Sequence, residues 1–290
     1  WITPPERLAG LMEPWWKDGQ QIFVHSIGVE AQDATIAALR SLQNKTPRFD
    51  HRFTFEHFGM ARYDQIRAMK ALGASANVNL YYIWLRGEMY GTAIGKDRAE
   101  DLSPIGTLVR EGVPTTLHSD YPIAPPRPLM AVSLALTRYG QSGQRTLGAG
   151  QTVTLDQALR MVTIDAAYVL GLDDKVGSLE PGKLADLTVL DADPHDVKPA
   201  AIRDIAVWGT VIGGKVYPAS QIQPRCFSAC ADDREPATLL REPECRVELR
   251  SPGGKVLRIG YGGTMGALTN IDQAGFAAYR KFNRCHCHLG

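Results

Sequence analysis

Cysteine is missing from the first 225 residues of this 290-residue chain; all five, Cys226, Cys230, Cys245, Cys285 and Cys287, come after them. An odd number gathered in the last quarter argues against a secreted disulfide framework, and a reducing, cytoplasmic compartment is expected. Net charge is almost absent: 32 Lys and Arg against 31 Asp and Glu leave +1. That balance gives no reason to expect nucleic acid or an anionic membrane as partner. No apolar run approaches membrane-spanning length, and no basic-then-apolar leader opens the chain. No internal repeat or low-complexity tract is found. An opening Met is also lacking, and Trp1-Ile-Thr-Pro-Pro5 reads as the interior of a longer chain.

What is present is a soluble-type composition, 44% hydrophobic and 22% charged, long enough for one domain of barrel size plus a smaller piece. A β-then-α rhythm runs through the first part. Strands are expected over residues 21–27, 52–57, 74–80 and 114–119. Helices are expected over 30–42, over 61–72 with Gly73 closing it, from Ser103-Pro104 to near Gly112, and over 129–139. Thr154-Leu-Asp-Gln157 has capping-box spacing and starts a helix running to about Leu170. Residues 81–100 are expected to be irregular, with Tyr81, Tyr82 and Trp84 as candidates to line a substrate pocket. Alternation of this kind predicts parallel strands in right-handed βα units. From Gly177 the pattern turns to short strands, 185–190 and 205–217 with a Gly213-Gly214 turn, which read as part of a sandwich. A hairpin is expected further on, 246–249 with 255–259.

Chemistry-bearing residues collect at strand ends. Thr115-Thr-Leu-His-Ser-Asp120 runs into Tyr121-Pro122, where a strand must stop. Side chains two apart on a strand share a face, so His118 and Asp120 point the same way. Two earlier strands end in histidine, Gln21-Ile-Phe-Val-His25 and Phe53-Thr-Phe-Glu-His57. Each alone has a bland reading: a satisfied core histidine, or an Asp forming a turn before Pro. Three ligand types at successive strand ends read together as the mouth of an α/β barrel, where such folds present catalytic groups. Glu56 is expected to face away from the site, Arg52 to be structural, and His51 and His195 to face solvent.

These segments, with Val24-His-Ser-Ile-Gly28 and Gly177-Ser-Leu-Glu-Pro-Gly-Lys-Leu-Ala-Asp-Leu187, resemble in order and spacing the second half of the metal-dependent amidohydrolases. The likeness runs from about residue 21 to 220 and is nearest their third large family, which includes formamide deformylase-like enzymes. It implies an α/β fold: the C-terminal half of a TIM-like (β/α)8 barrel, strands five to eight, over residues 1–175, and part of a small β-sandwich over 176–220. It implies that His25, His57 and Asp120 hold a divalent metal, zinc in the first place. Asp120 would also be the catalytic acid and base, and His118 its orienting partner. It implies a hydrolase of amide or formamide C–N bonds in small molecules. The chain departs from the pattern at Val29, where Asp is usual, and at His118, where an apolar residue is usual. Nothing before His25 supplies the His-x-His pair or the Lys or Glu ligand of the family's earlier strands. A half-barrel is therefore expected to self-associate through exposed strand edges.

Residues 221–290 fit nothing upstream. Cys226-x3-Cys230 and Cys285-His-Cys-His288 are metal-ligand types at no standard finger spacing. The rival readings of the whole chain are a non-catalytic remnant and a binding module stapled by metal at this tail.

Overall fold

The computed structural model describes residues 3–145 and 147–219, together with the backbone of 245–250 and 256–261. After α1 (Pro5–Lys17), βα units follow: β1 (Phe23–Ser26), α2 (Val29–Lys45), β2 (Thr54–His57), α3 (Tyr63–Ala71) and β3 (Ser75–Asn79). Next come α4 (Tyr81–Ala93), α5 (Lys96–Glu100), α6 (Ile105–Arg110), β4 (Thr115–His118), α7 (Pro128–Thr137), α8 (Leu155–Met161) and α9 (Ile164–Val169). The four strands form one parallel sheet in sequence order, β1-β2-β3-β4. Then β5 (Leu187–Leu190), β6 (Val207–Ile212) and β7 (Lys215–Pro218) form a separate three-stranded sheet, with β5 antiparallel to β6. The expected α/β class, with parallel barrel-type units and a small antiparallel layer, is the one observed.

Register sorts the parallel sheet into two faces. Val24, Phe55, Ala76 and Thr115 lie side by side. Phe55 and Ala76 are fully buried in a core with Phe53, Leu39, Leu42, Ile66, Met69 and Leu108 from flanking segments. The next row is polar: His25, Glu56, Asn77 and Thr116. Because strand side chains alternate, this row lies on the face opposite the aromatic core row. One face is thus fastened by helices and the other carries chemistry.

Several boundaries have local causes. Gly73 ends α3 at φ +71°, with Ala74 N–H bonded to the Met69 carbonyl and Gly73 N–H to that of Lys70, a Schellman closure. The expected capping box forms at α8: Thr154 Oγ1 accepts from Gln157 N, and Gln157 Oε1 from Thr154 N. That helix does not run unbroken to Leu170. It interrupts at Val162-Thr163, where the Thr116 hydroxyl of β4 donates to the Met161 carbonyl at 2.6 Å and Thr163 bonds back to Leu159. Residues 81–93 are helical rather than irregular. Asn79 Oδ1 accepts from Tyr81 N at 2.9 Å and starts the turn, while Gly87 and Gly91 among the aromatics hide the periodicity. Ser103 does not cap α6; its hydroxyl donates to the Asn79 carbonyl and its N–H to that of Gly59.

Residues 1–216 gather into one unit and 217–289 into a second. In the second, β8 (Cys245–Arg250) pairs antiparallel with β9 (Val256–Tyr261), as the hairpin expectation had it. The two Cys and Cys-His clusters of the tail lie outside the described residues. Among the described residues no helix is long and apolar enough to cross a membrane.

Candidate metal centre

The C-terminal ends of the sheet bring four ligand-type side chains together. The ring centroids of His25 and His57 are 4.2 Å apart, and those of His57 and His118 4.7 Å. One ligand atom each from His57, His118 and Asp120 lies within 4.8 Å of the others. His25 is exposed, His57 is buried and the other two are intermediate. The convergence expected from strand ends is therefore present, with His118 inside the tight set rather than behind it.

Backbone strain builds this cluster. His57 pairs with Ser26 and Val78, so strict alternation would send it into the apolar layer. Instead His57 has φ +70° and Phe58 φ +43°, two successive non-glycine residues in the left-handed region. Asp120 does the same at φ +57°. Each such residue costs on the order of 1–3 kcal/mol, and the surrounding fold must hold it there. It does so through Phe58 N–H to the Ser26 carbonyl, Met60 N–H to that of Ile27, and Ser103 N–H to that of Gly59 at 2.7 Å. A Cβ on Gly59 would sit 3.1 Å from Ile27 Cγ2 and 3.4 Å from Tyr82, a tight fit that would push those side chains back by a few tenths of an ångström. Beneath it, Gln32 is buried and bonds both the hydroxyl and the carbonyl of Ser26.

The same strain corrects the reading of Glu56. It shares the polar row with His25, and it is His57 that departs from alternation. Asn77 donates to both Glu56 oxygens, at 3.1 and 2.9 Å, and His118 Nε2 lies 3.9 Å from Glu56 Oε2. Burial, aided by the charge of Asp120 and opposed by the Asn77 bonds, raises the Glu56 carboxyl to about 7. Burial first, then the neighbouring imidazoles, lowers His57 and takes His118 down to about 3. At 3.9 Å from a neutral ring, Glu56 and His118 form neither a hydrogen bond nor an ion pair.

Two buried atoms here have no hydrogen-bond partner among the described residues, His118 Nε2 and Asn77 Oδ1. An unmet polar atom of this kind costs about 1–3 kcal/mol. The Tyr82 hydroxyl meets His57 Nδ1 at 3.1 Å, which leaves Nε2 as the free nitrogen of that ring. Neutral imidazoles with a nitrogen to spare, beside a carboxylate, are the donor set that zinc or a similar divalent ion takes. The residues present fit such an ion.

Of the aromatic residues expected at a substrate pocket, only Tyr82 reaches the cluster. Tyr81 is buried, with its hydroxyl donating to the Pro125 carbonyl at 3.0 Å, and Trp84 packs edge-on against it at 6.0 Å. Both serve the core. Glu56 and Asn77 were the participants that sequence reasoning missed; alternation from His25 across the register was the available signal. A cleft of about 520 Å³ opens at the other end of β4, lined by Val113, Pro114, Thr115, Tyr168 and Asp173, and holds none of the clustered groups.

Known proteins share the fold. A metal-dependent hydrolase of unknown specificity from Pyrococcus horikoshii OT3 superposes with a TM-score of 0.58 at 24% identity, covering 68% of this chain and 39% of that one. The likeness defines the fold: parallel βα units of a TIM-type barrel. The sequence pattern of the amidohydrolase family matches residues 2–218, and the chain belongs to that family. It is 31% identical over 201 residues to N-substituted formamide deformylase of Arthrobacter pascens, covering 68% of this chain and 36% of that protein. It is 27% identical over 219 residues to Protein LONG AFTER FAR-RED 3 of Arabidopsis thaliana, covering 75% and 37%. The chain thus spans well under half the length of these relatives.

Proposed function

We propose that this chain carries part of the centre of a metal-dependent hydrolase that cleaves C–N bonds of small amides or formamides. The observation that carries the reading is the meeting of His57, His118 and Asp120 ligand atoms within 4.8 Å at the strand ends, with the His25 ring beside them. His25, His57 and Asp120 would hold a divalent ion, and the mix of imidazole and carboxylate favours zinc. Such an ion supplies Lewis acidity, acidifying a water and polarising a carbonyl.

The chain's own residues do the rest. Asp120 takes the proton of the attacking water on a carboxylate oxygen. It returns that proton to the leaving nitrogen as the C–N bond breaks, giving an acid and an amine. Tyr82 holds the orientation of the His57 ring through Nδ1. The similarity to a formamide deformylase supports the substrate class, and the cysteine pattern supports a reducing cytoplasm.

The test is zinc-loaded protein offered N-substituted formamides, N-acyl amino acids and, for comparison, esters. Amide turnover that disappears in Asp120→Asn supports the reading. C–N turnover that survives that substitution contradicts it.

A second reading, a chain that binds metal without turnover, is favoured by one observation: β1 and β4 are unpaired edges of the parallel sheet among the described residues. Those edges leave a substrate without walls on either side, and positioning is worth orders of magnitude in rate. Stoichiometric zinc with no hydrolysis selects this reading. The same edges are expected to make the chain self-associate, visible as concentration-dependent mass in light scattering.

A further inference from the structure

We propose that Arg138 is a positioning residue of the centre described above: through Ser103 it holds His57 in the orientation in which that ring meets a metal ion. The inference rests on the metal reading and gives a role to a buried charge that the reading leaves unused. Arg138 follows α7 in the left-handed region, at φ +53°, and is fully buried. Burial lowers its guanidinium to about 10, against the pull of Glu100 and Asp101, so the side chain is still a cation at neutral pH. Among the described residues it hydrogen-bonds only main-chain carbonyls. Nε donates to Leu147 and Nη1 to Ser103, both at 3.2 Å, and Nη2 donates to Leu102. A buried charge without a counter-charge is costly, and an apolar side chain of similar size would avoid that cost. It could not grip two successive carbonyls at once, as the planar fork of a guanidinium does.

Those two carbonyls belong to the corner from which His57 is held. Ser103, itself at φ +48°, donates its N–H to the Gly59 carbonyl at 2.7 Å and its hydroxyl to the Asn79 carbonyl at 3.0 Å. Gly59 directly follows the left-handed pair His57-Phe58. Asn79 accepts from Tyr81 N–H at the start of α4, and the next residue, Tyr82, meets His57 Nδ1 at 3.1 Å. Leu102 packs with Ile83 and Leu147 in a small apolar cluster against which Tyr82 also rests. Both restraints on the His57 ring, its own backbone turn and its Tyr82 partner, therefore lead back to residues 102 and 103. The loop that closes over the guanidinium admits no side chain. Gly148 stands at φ +69°, and a Cβ there would lie 2.7 Å from Nη2 and 2.8 Å from Cζ of Arg138.

The experiment compares the full wild-type chain with Arg138→Met, Arg138→Lys and Ser103→Ala, each labelled with 15N-histidine. All five cysteines lie beyond residue 225 and are alkylated first, so that thiolates do not compete for metal. His51→Ala is the control for lost stability alone, because His51 is buried and bonds only the backbone of Phe53 and Leu72. Metal-free spectra read the His57 ring nitrogens, assigned by their loss in His57→Asn. Cobalt(II) titration followed by visible absorption reads the metal. Arg138→Met is expected to move the His57 resonances toward those of Tyr82→Phe and to weaken cobalt by about 10–100-fold, the range for loss of supporting contacts. Ser103→Ala should move them the same way by less. Arg138→Lys keeps the charge without the fork and should fall between Arg138→Met and wild type. His51→Ala should melt lower and change neither readout.

Thermal melting of each metal-free variant checks folding; if Arg138→Met does not fold, Arg138→Lys and Ser103→Ala decide. If the His57 resonances stay still and cobalt affinity matches wild type in the folded variants, the inference is wrong and the metal reading stands. The same holds if His51→Ala moves both readouts as far. If the alkylated wild-type chain takes up no cobalt, the metal reading falls and this role with it.

Discussion

His51 lies three residues before β2 and His57 ends it, and their surroundings could hardly differ more. His51 is 2% exposed, accepts from Phe53 N–H through Nδ1 at 3.0 Å, and meets the Leu72 carbonyl through Nε2 at 2.9 Å. Its ring also packs against Trp16 at 5.1 Å. Both nitrogens are saturated by backbone. His57 has one nitrogen on Tyr82 and the other free, beside an imidazole with a wholly unmet nitrogen. A structural histidine is finished by its own fold. On the proposed reading His57 is a ligand left with valence to spare, and the fold accepts left-handed backbone at that position. Arg52 extends the contrast: it ties the start of β2 to the Tyr168 carbonyl, to Asp50 and Asp173, and stacks over the Tyr168 ring at 4.4 Å.

The largest effect that would sharpen this comparison is on stability. His51→Ala should cost about 2–4 kcal/mol, from two orphaned backbone groups and a lost packed ring, without changing zinc affinity. A denaturant melt and a zinc titration on the same sample check both halves. Next comes the stabilisation that zinc gives. At 100 times its dissociation constant it should add about 2.7 kcal/mol to the wild-type chain and nothing measurable to His57→Asn. Equal protection of both chains would mean the ion sits elsewhere.

The third effect is a pH dependence. Glu56 is raised in the folded state from 4.5 to about 7, so between those values the folded chain holds the proton more tightly than the unfolded one. Metal-free stability therefore declines from this group as pH rises from about 4.5 to about 7. Glu56→Gln should match wild type near pH 4 and exceed it near pH 8, as read by urea midpoints. The smallest effect concerns His195, whose Nδ1 and Nε2 meet Asp193 and Asp156 at 2.9 Å on an exposed surface. His195→Asn should shift the melting midpoint by only about 1 °C, because exposed pairs contribute little.

How much of this was legible beforehand varies with the residue. The four strands, the Gly73 stop and the Thr154 capping box follow from local signals, and the structure has all of them. His25, His57, His118 and Asp120 were legible as a group because each lies at or just past the end of a strand. The status of Glu56 was not, since the positive φ of His57 breaks the alternation on which its orientation was inferred. His51 was expected at the surface because loop residues flank it; tertiary packing against Trp16 overrides that. The helix at residues 81–93 was missed because glycines and aromatics blurred its period and Asn79, whose side chain accepts from Tyr81 N–H at its start, belongs to the preceding strand. His195 was placed correctly at the surface, where its neighbours Asp193 and Asp156 are also exposed.

The central claim is that this chain assembles a divalent ion site from its own strand ends. Anomalous diffraction at the zinc edge, from crystals of the full chain grown with zinc, tests it most directly. The account predicts a peak bounded by His25, His57 and Asp120, about 2 Å from a ligand atom of each. A chain whose zinc peak lies away from these three side chains, or whose crystals show no peak while His118 Nε2 remains without a partner, would contradict it.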